Sequence, residues 1–205
     1  MYQVPVSLAD DWVSATFEHP SRDFVVDIGC ARGSWILRTA ASEAGQRSNF
    51  LGLDIRHPVV SEALERKQRS GLRNVQFLVS NANIDIRRLL TDISRQGRVH
   101  MLCIHHPDPH FKLRNKKRSV VTPDFVRNVA EATQAGCLVY LQTDVLDVAE
   151  DMTREFADNE AFEEAEGYSA ANLDANPTLH VVPTEREVGV LARGLPIYRM
   201  LYVRR

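Results

Sequence analysis

Short apolar runs alternate with helical patterns along most of this 205-residue chain, and no other feature constrains its fold as strongly. The runs are rich in β-branched residues and lack the alternation of a half-exposed strand; they cover residues 24–28, 50–54, 75–79, 99–104 and 137–143. Each precedes a segment with helical periodicity, at residues 34–44, 59–70, 84–94, 123–134 and 145–159. Strands of this kind, each followed by a helix, predict an α/β fold: a mostly parallel sheet of about seven strands with helices on both faces.

The pattern changes towards the end of the chain. Residues 179–182 and 197–203 have the composition of strands with no full helix between them, and residues 167–177 that of a loop. We therefore expect the sheet to end in an antiparallel strand pair. Length and composition suit one domain over residues 1–205, with an N-terminal extension at 1–22 and a C-terminal arm at 176–205.

Composition argues against several classes of protein. No apolar run is long enough to cross a bilayer, and the first residues lack the basic-then-apolar pattern of a secretion signal. Three scattered cysteines are too few for a disulfide framework, so we expect buried thiols and a cytoplasmic protein. The net charge of −2 hides an uneven distribution, because residues 147–166 carry nine acids and one arginine while residues 112–118 carry five cations. A positive face for a polyanion and an ordinary solvated acidic helix both fit this pattern.

A turn rich in small residues follows the first predicted strand. It reads Asp-Ile-Gly-Cys-Ala-Arg-Gly from Asp27 to Gly33, and Gly29 and Gly33 allow a tight turn and the close approach of a ligand. The dinucleotide pattern G-x-G-x-x-G requires glycines where Ala31 and Ser34 stand, so it fits poorly. The turn instead resembles the acidic-x-Gly-x-Gly-x-Gly turn of class I S-adenosylmethionine methyltransferases. Asp27 matches the acidic position, and Ala31 replaces the middle glycine.

The next two strand ends also carry polar residues suited to a nucleoside. Asp54 ends the second strand, where an acid in an α/β sheet accepts hydrogen bonds from a ribose diol. Asn81 and Ala82 follow the third strand, where a side-chain amide can meet an adenine amino group. A helix N-cap is an equally good interpretation of Asn81. We predict a nucleoside-binding crevice lined by Asp27, Gly29, Gly33, Asp54, Asn81 and Ala82.

The fourth strand leads into residues 105–119, the segment with the most evident chemistry. Asp108 lies between Pro107 and Pro109, which restrict the backbone and therefore the direction of the carboxylate. The cations of residues 112–118 suit phosphate groups. A rigid loop with a capping aspartate also fits the prolines.

A metal site is a further interpretation of the same segment. Its candidate ligands are Cys103, His105, His106, Asp108 and His110. The prolines spoil a simple chelating geometry, and no second cysteine or histidine pair has a familiar spacing. We predict no metal.

The proline-flanked aspartate is similar to a motif of the bacterial tRNA (guanine-N7)-methyltransferase family. That family has Pro-Asp-Pro-Trp after strand four, then a lysine and a basic run. The matching residues here are Pro107, Asp108, Pro109, Lys112, Arg114, Lys117 and Arg118. His110, Asn115 and Ser119 depart from the family's usual tryptophan, histidine and arginine.

Two later motifs extend this resemblance over about residues 24 to 203. The family's Thr-Asp after strand five is matched by Thr143 and Asp144, although Val145 replaces a frequent tryptophan. Its Thr-x-x-Glu near the C-terminus is matched by Thr184 and Glu187, and a glycine and an aromatic strand follow in both.

The resemblance implies a class I methyltransferase fold, S-adenosylmethionine as cofactor, and formation of 7-methylguanosine at guanine 46 in the variable loop of tRNA. It implies that the chain acts without an obligate protein partner, as a monomer or homodimer. Two alternatives stay open: a non-catalytic RNA-binding module on the same fold, and a methyltransferase with another substrate.

The resemblance also assigns roles to individual residues. Asp108 is the catalytic residue and also contacts the cofactor. The residues expected to bind tRNA are Lys112, Arg114, Arg118, Asp144, Thr184 and Glu187. Asp144 holding a basic neighbour, and Glu187 as an ion-pair partner of Arg186 or Arg193, are the structural alternatives.

Overall fold

A computed structural model describes residues 5–109, 119–165 and 182–205. The described residues form one seven-stranded sheet in the order β3-β2-β1-β4-β5-β7-β6. The strands are β1 (Asp23–Ile28), β2 (Asn49–Asp54), β3 (Val75–Val79), β4 (Arg98–His105), β5 (Leu138–Thr143), β6 (Phe162–Glu164) and β7 (Tyr198–Arg204). The first five pair in parallel, and β7 runs antiparallel to both β5 and β6. This confirms the predicted α/β sheet and its antiparallel end.

Helices cover both faces of the sheet. They are α1 (Trp12–Thr16), α2 (Ser34–Ala41), α3 (His57–Ser70), α4 (Ala82–Ser94), α5 (Pro123–Ala132), α6 (Leu146–Ala157) and α7 (Glu185–Leu191), with a 3-10 helix at Gly45–Arg47. The apolar residues of α1, α4, α5 and α6 pack in one core with alternate strand residues such as Val26 and Leu141. Those of α2 and α3 pack in a second core with the intervening strand residues, among them Phe77 and Tyr140. The near-continuous apolar character of the strands follows from this double burial.

Local signals place several helix ends. Thr122 caps α5 by accepting a hydrogen bond from Phe125 N at 3.1 Å, and Pro123 occupies the first turn. Gly71 ends α3 in the left-handed conformation, with φ 71°. Because β1 to β5 are parallel, their carboxyl ends meet at one edge of the sheet, where the crevice was predicted.

The C-terminal region differs from its prediction in two ways. We expected no full helix before the last strand, yet α7 forms there because Thr184 and Glu187 make a reciprocal capping box at its start. We expected residues 179–182 to pair with the last strand, yet the antiparallel partner at the sheet edge is β6. Residues 179–181 lie outside the described ranges, as do all of the predicted loop residues 167–177, and Val182 belongs to no strand.

The N-terminal residues form part of the core. Helix α1 was not predicted, and its Trp12 and Val13 are buried with Phe17 in the first core. Trp12 Nε1 donates to Asp92 Oδ2 of α4 at 3.1 Å. Cys30, Cys103 and Cys137 are buried free thiols, as expected. Within the described ranges, no helix is both long and apolar enough to span a bilayer.

Candidate active site

The glycine turn after β1 has the backbone conformation that its sequence predicts. Gly29 and Gly33 adopt φ values of 82° and 69°, and Ala31 adopts φ 48°. Gly29 N and Cys30 N donate to Leu53 O at 2.8 and 3.0 Å, which ties the turn to the end of β2. Since Ala31 takes the left-handed conformation, the loss of the middle glycine leaves the turn intact.

Gly29 and Gly33 serve different purposes in this turn. A Cβ built on Gly33 would lie 2.4 Å from the ring of Phe77, so Gly33 lets α2 begin close to β3. A Cβ on Gly29 would have no atom within 4 Å and would project into open space at the carboxyl edge of the sheet. The first glycine therefore leaves room for a ligand, whereas the last is needed for packing.

Asp54 lies beneath the turn with its carboxylate buried. Ala31 N donates to Oδ2 at 3.0 Å, and Arg56 N donates to Oδ1 at 2.9 Å. The Arg56 guanidinium adds Nε to Oδ1 and Nη2 to Oδ2, each at 3.0 Å. These bonds to Asp54 raise the pKa of Arg56. A carboxylate has about four acceptor sites, so a ribose diol would have to replace the guanidinium.

Asp27 is also buried and is bound by an imidazole. His105 Nδ1 lies 3.0 Å from Asp27 Oδ1. The His105 ring packs against Trp35, with centroids 4.5 Å apart, and against Tyr140 at 5.7 Å. Asp27 is therefore at the expected strand end, where it anchors β4 to β1.

Asn81 and Ala82 begin helix α4 at the same edge. Asn81 Oδ1 accepts from Asn83 N at 3.1 Å, so the N-cap interpretation of Asn81 is confirmed. Ala82 is the first residue of the helix and is buried. Contact of either residue with an adenine ring stays a prediction.

Asp108 is exposed, three residues beyond the end of β4. Among the described residues none donates a hydrogen bond to its carboxylate, and its charge helps to raise the pKa of the nearby Arg56 guanidinium. The predicted phosphate-binding residues Lys112, Arg114 and Arg118 lie outside the described ranges, as do His110 and Asn115.

A largely buried polar network, here called the strand-end network, joins the ends of β4 and β5 to α7 and β7. Its members are His106, Tyr140, Gln142, Asp144, Arg186, Glu187 and Arg199. Gln142 lies at its centre, with its amide nitrogen 2.9 Å from His106 Nε2 and 3.2 Å from Glu187 Oε2.

The predicted substrate residues Asp144, Thr184 and Glu187 all belong to or border this network. Asp144 Oδ1 binds His106 Nδ1 at 2.9 Å, and Arg186 grips both carboxylate oxygens, at 2.9 and 3.1 Å. Glu187 accepts from Arg199 Nη2 at 2.5 Å and from Thr184 N at 3.3 Å. The ion-pair partner of Glu187 is thus Arg199, and not Arg186 or Arg193 as in the structural alternative.

The network sets the charge states of its members. Burial raises the pKa of Asp144, but hydrogen bonds from Arg186 and then His106 outweigh it and lower the value to about 2. Burial also raises the pKa of Glu187, but the hydrogen bond from Arg199 outweighs burial, so the pKa is lowered. Burial lowers the pKa of His106, only partly offset by Asp144. Both acids are therefore charged and His106 is neutral at pH 7.

Sequence reasoning missed Arg56 at Asp54, and in the strand-end network it missed Tyr140, Gln142, Arg199 and the pairing of Arg186 with Asp144. It named His105 and His106 only as candidate ligands of the metal site that it rejected, and each imidazole binds a different carboxylate. The described residues contain no group of three or more histidine, cysteine or acidic side chains placed to hold a metal ion.

Comparison with known proteins adds a family and a fold. Residues 21–200 match a family model described as "Putative methyltransferase". A tRNA (guanine-N(7)-)-methyltransferase from Thermosynechococcus vestitus is 43% identical over 194 residues, covering 95% of this chain and 85% of that protein. One of the same name from Trichormus variabilis is 40% identical over 188 residues, covering 92% and 84%.

Solved structures of methyltransferases share the architecture. The aminoglycoside resistance methyltransferase NpmB1 superposes with a TM-score of 0.58 at 13% identity, over 98% of this chain and 95% of that one. TrmN from Thermus thermophilus gives 0.56 at 17% identity, over 97% and 49%. The predicted class I methyltransferase fold is confirmed.

Proposed function

The chain belongs to the tRNA (guanine-N7)-methyltransferase family, and from that premise we propose that it transfers the methyl group of S-adenosylmethionine to N7 of guanine 46 in the variable loop of tRNA. The observation that carries the proposal is the position of Asp108. Its exposed carboxylate lies at the same sheet edge as the glycine turn, within a chain that aligns with its relatives over nearly its whole length.

The carboxyl edge of the sheet fits the proposed cofactor. The open space above Gly29 admits a ligand against bare backbone, and Asp54 offers a carboxylate to a ribose diol once Arg56 leaves it. Asp27, Gly33, Asn81 and Ala82 complete the surface that would hold the nucleoside and its amino-acid end. When bound, the cofactor supplies a methyl group on a positively charged sulfur.

Guanine N7 needs little help to react with such a methyl group. Its lone pair lies in the ring plane and carries no proton, so no general base is required. The chain's task is to align the base, and alignment of this kind contributes about 7–11 kcal/mol in favourable cases.

Asp108 suits that task because its carboxylate is exposed and accepts no hydrogen bond from any described residue. An ionised carboxylate only accepts hydrogen bonds, and its two oxygens match the N1–H and amino group of guanine. It would also stabilise the positive charge that the ring acquires. At about 4 Å and an effective dielectric of about 20, unit charges attract by roughly 4 kcal/mol before desolvation.

The other proposed base contacts are more constrained. Asp144 and Glu187 each already accept three hydrogen bonds, which leaves at most one acceptor site apiece. We propose that they border the base and add single hydrogen bonds, while Thr184 fixes α7 beside them. Lys112, Arg114 and Arg118 follow Asp108 in sequence and are proposed to bind tRNA phosphates.

The activity is tested by incubating the protein with unmodified bulk tRNA and labelled S-adenosylmethionine, followed by nucleoside analysis. We expect 7-methylguanosine from the wild type and at least about a hundredfold less from Asp108→Asn, a loss of about 3 kcal/mol in transition-state stabilisation. Asp124→Asn, at an exposed aspartate of α5, is the matched control and should behave like the wild type. Cofactor binding without any methylated nucleoside would favour an inert RNA-binding module.

A further inference from the structure

We infer that His106 is a positioning residue for the base-binding part of the site and acts as a neutral imidazole with its proton on Nδ1. The inference rests on the proposed function, because it concerns the residues that would align guanine. It assigns a role to a histidine that the sequence linked only to a metal.

His106 is anchored at the start of the segment that carries Asp108. Its side chain is only 4% exposed, and its backbone takes the left-handed conformation with φ 48°. His106 N donates to Gln142 O at 2.6 Å, and Pro107 follows directly. A non-glycine residue holds this conformation only where its surroundings fix it. The contacts of His106 therefore determine the direction in which the chain carries Asp108 away from β4.

The hydrogen-bond partners of His106 define its tautomer. Ionised Asp144 can only accept, so His106 Nδ1 must be the donor in their 2.9 Å contact. The Glu187 carboxylate can only accept, which fixes the Gln142 amide with its nitrogen towards Oε2, and Gln142 Oε1 then accepts from the Tyr140 hydroxyl at 2.5 Å. The Gln142 amide nitrogen then donates to Glu187 Oε2 and to His106 Nε2, and that ring nitrogen must be unprotonated.

Protonation of His106 is incompatible with this arrangement. A proton on Nε2 would face the Gln142 amide hydrogens. Rotating the amide would remove that clash but would turn Oε1 towards the Glu187 carboxylate. The titratable and charged groups around the ring are Asp144 after β5, Arg186 from α7 and His105 from β4, with Glu187 behind Gln142. Burial, Arg186 and His105 oppose the proton and only Asp144 favours it, which lowers the pKa of His106.

Through these contacts His106 links three proposed contributors to the base site. It orients Asp144 directly, Glu187 through Gln142, and Asp108 through the backbone. A loss of His106, or its protonation, should therefore impair turnover on tRNA while leaving the glycine turn and Asp54 unchanged.

The test compares three variants over pH 5.5–8. His106→Ala removes the ring, and alanine is tolerated in this conformation at Ala31, whose φ is also 48°. His106→Asn restores a side-chain N–H that can donate to Asp144 and does not titrate. His100→Asn changes a half-buried histidine at the other end of β4 and is the matched control. We measure kcat/KM for tRNA at saturating S-adenosylmethionine, and the Kd of S-adenosylhomocysteine by calorimetry.

We expect kcat/KM of the wild type and of His100→Asn to fall about tenfold per pH unit on the acid side, since one protonation inactivates the site. His106→Ala should lose at least tenfold at pH 7.5 with an unchanged Kd for S-adenosylhomocysteine. His106→Asn should recover most of that loss and should lack the acid limb. Nitrogen-15 spectra of the wild type at pH 7.5 should show His106 protonated on Nδ1 alone.

Other results would overturn the inference. These are an acid limb that persists in His106→Asn, an alanine variant within threefold of wild type, an equal loss of S-adenosylhomocysteine binding, or protonation on Nε2. A wild type that forms no 7-methylguanosine at any pH would instead refute the proposed function, and the nitrogen-15 spectra would still test the state of His106.

Discussion

Gly29 and Gly33 lie four residues apart in one turn, yet their replacement by alanine should affect different properties: ligand affinity at Gly29 and stability at Gly33. Both glycines have positive φ, at 82° and 69°, so each alanine variant incurs backbone strain. For one non-glycine residue this strain is about 1 kcal/mol, equivalent to a fall in Tm of roughly 2–4 °C in a chain of this size. Any difference between the variants must therefore come from what the new methyl group meets.

At Gly33 the methyl group meets the protein. It would lie 2.4 Å from the Phe77 ring and 3.2 Å from the Ala63 side chain, in a close-packed core. Such overpacking costs about a further 1–3 kcal/mol, so Gly33→Ala should lose about 2–4 kcal/mol of unfolding free energy in total. At Gly29 the methyl group meets no protein atom within 4 Å and projects into the space proposed for the cofactor. Gly29→Ala should lose only the strain term but bind S-adenosylhomocysteine at least about tenfold more weakly, or 1.4 kcal/mol.

Gly71→Ala supplies the control for strain alone. Gly71 ends α3 with φ 71°, and a Cβ there also meets nothing within 4 Å. Thermal unfolding should give similar Tm values for Gly29→Ala and Gly71→Ala and a clearly lower Tm for Gly33→Ala. Calorimetry should show that only Gly29→Ala, of the first two, binds S-adenosylhomocysteine more weakly. Wild-type affinity in Gly29→Ala would refute the assignment of that space to the cofactor. A Gly33→Ala variant as stable as Gly71→Ala would refute the packing argument.

Two further predictions concern Arg56 and the pH dependence of stability. The Arg56 guanidinium occupies two acceptor sites of Asp54. Calorimetry should therefore show that Arg56→Met binds S-adenosylhomocysteine about fivefold more tightly, a gain of about 1 kcal/mol. Weaker binding would show that Arg56 supports the nucleoside. The pKa of His106 in the folded chain lies below the unfolded value of about 6.5, so the unfolded chain takes up the proton first as the pH falls. The contribution of His106 to the free energy of unfolding is therefore fully present above pH 6.5 and is lost as the pH drops below it. Burial also lowers the pKa of His100, so His100 adds a loss of stability of the same sign in both proteins. Denaturant titrations of wild type and His106→Asn from pH 7.5 to 5 should therefore differ only by the contribution of His106 to the free energy of unfolding. Coincident curves of stability against pH would contradict this prediction.

The sheet was predictable because its strands are buried on both sides. Continuous runs such as residues 99–104 carry that information locally, and the glycine turn marks the first crossover. Helix α7 was missed although its signal was present. Thr184 and Glu187 form a capping box, the usual sign of a helix start, but we assigned them only to the substrate.

The partners of the polar side chains at the carboxyl edge of the sheet could not be predicted from local sequence. His105 binds Asp27 across 78 residues and His106 binds Asp144 across 38, so their partners depend on the order of strands in the sheet. Two histidines adjacent in sequence suggested ligands of one metal ion. Their side chains instead reach different carboxylates, Asp27 and Asp144. Arg56 is close to Asp54 in sequence, but only side-chain conformation shows that it fills the acceptor sites proposed for ribose.

The proposed methyl acceptor, N7 of guanine 46, is tested with a tRNA transcript in which this one nitrogen is replaced. Two transcripts are prepared that differ only at position 46, one with guanosine and one with 7-deazaguanosine, in which a carbon replaces N7. With labelled S-adenosylmethionine, we expect one methyl group per molecule of the guanosine transcript and none in the 7-deaza transcript. Equal labelling of both transcripts would contradict it.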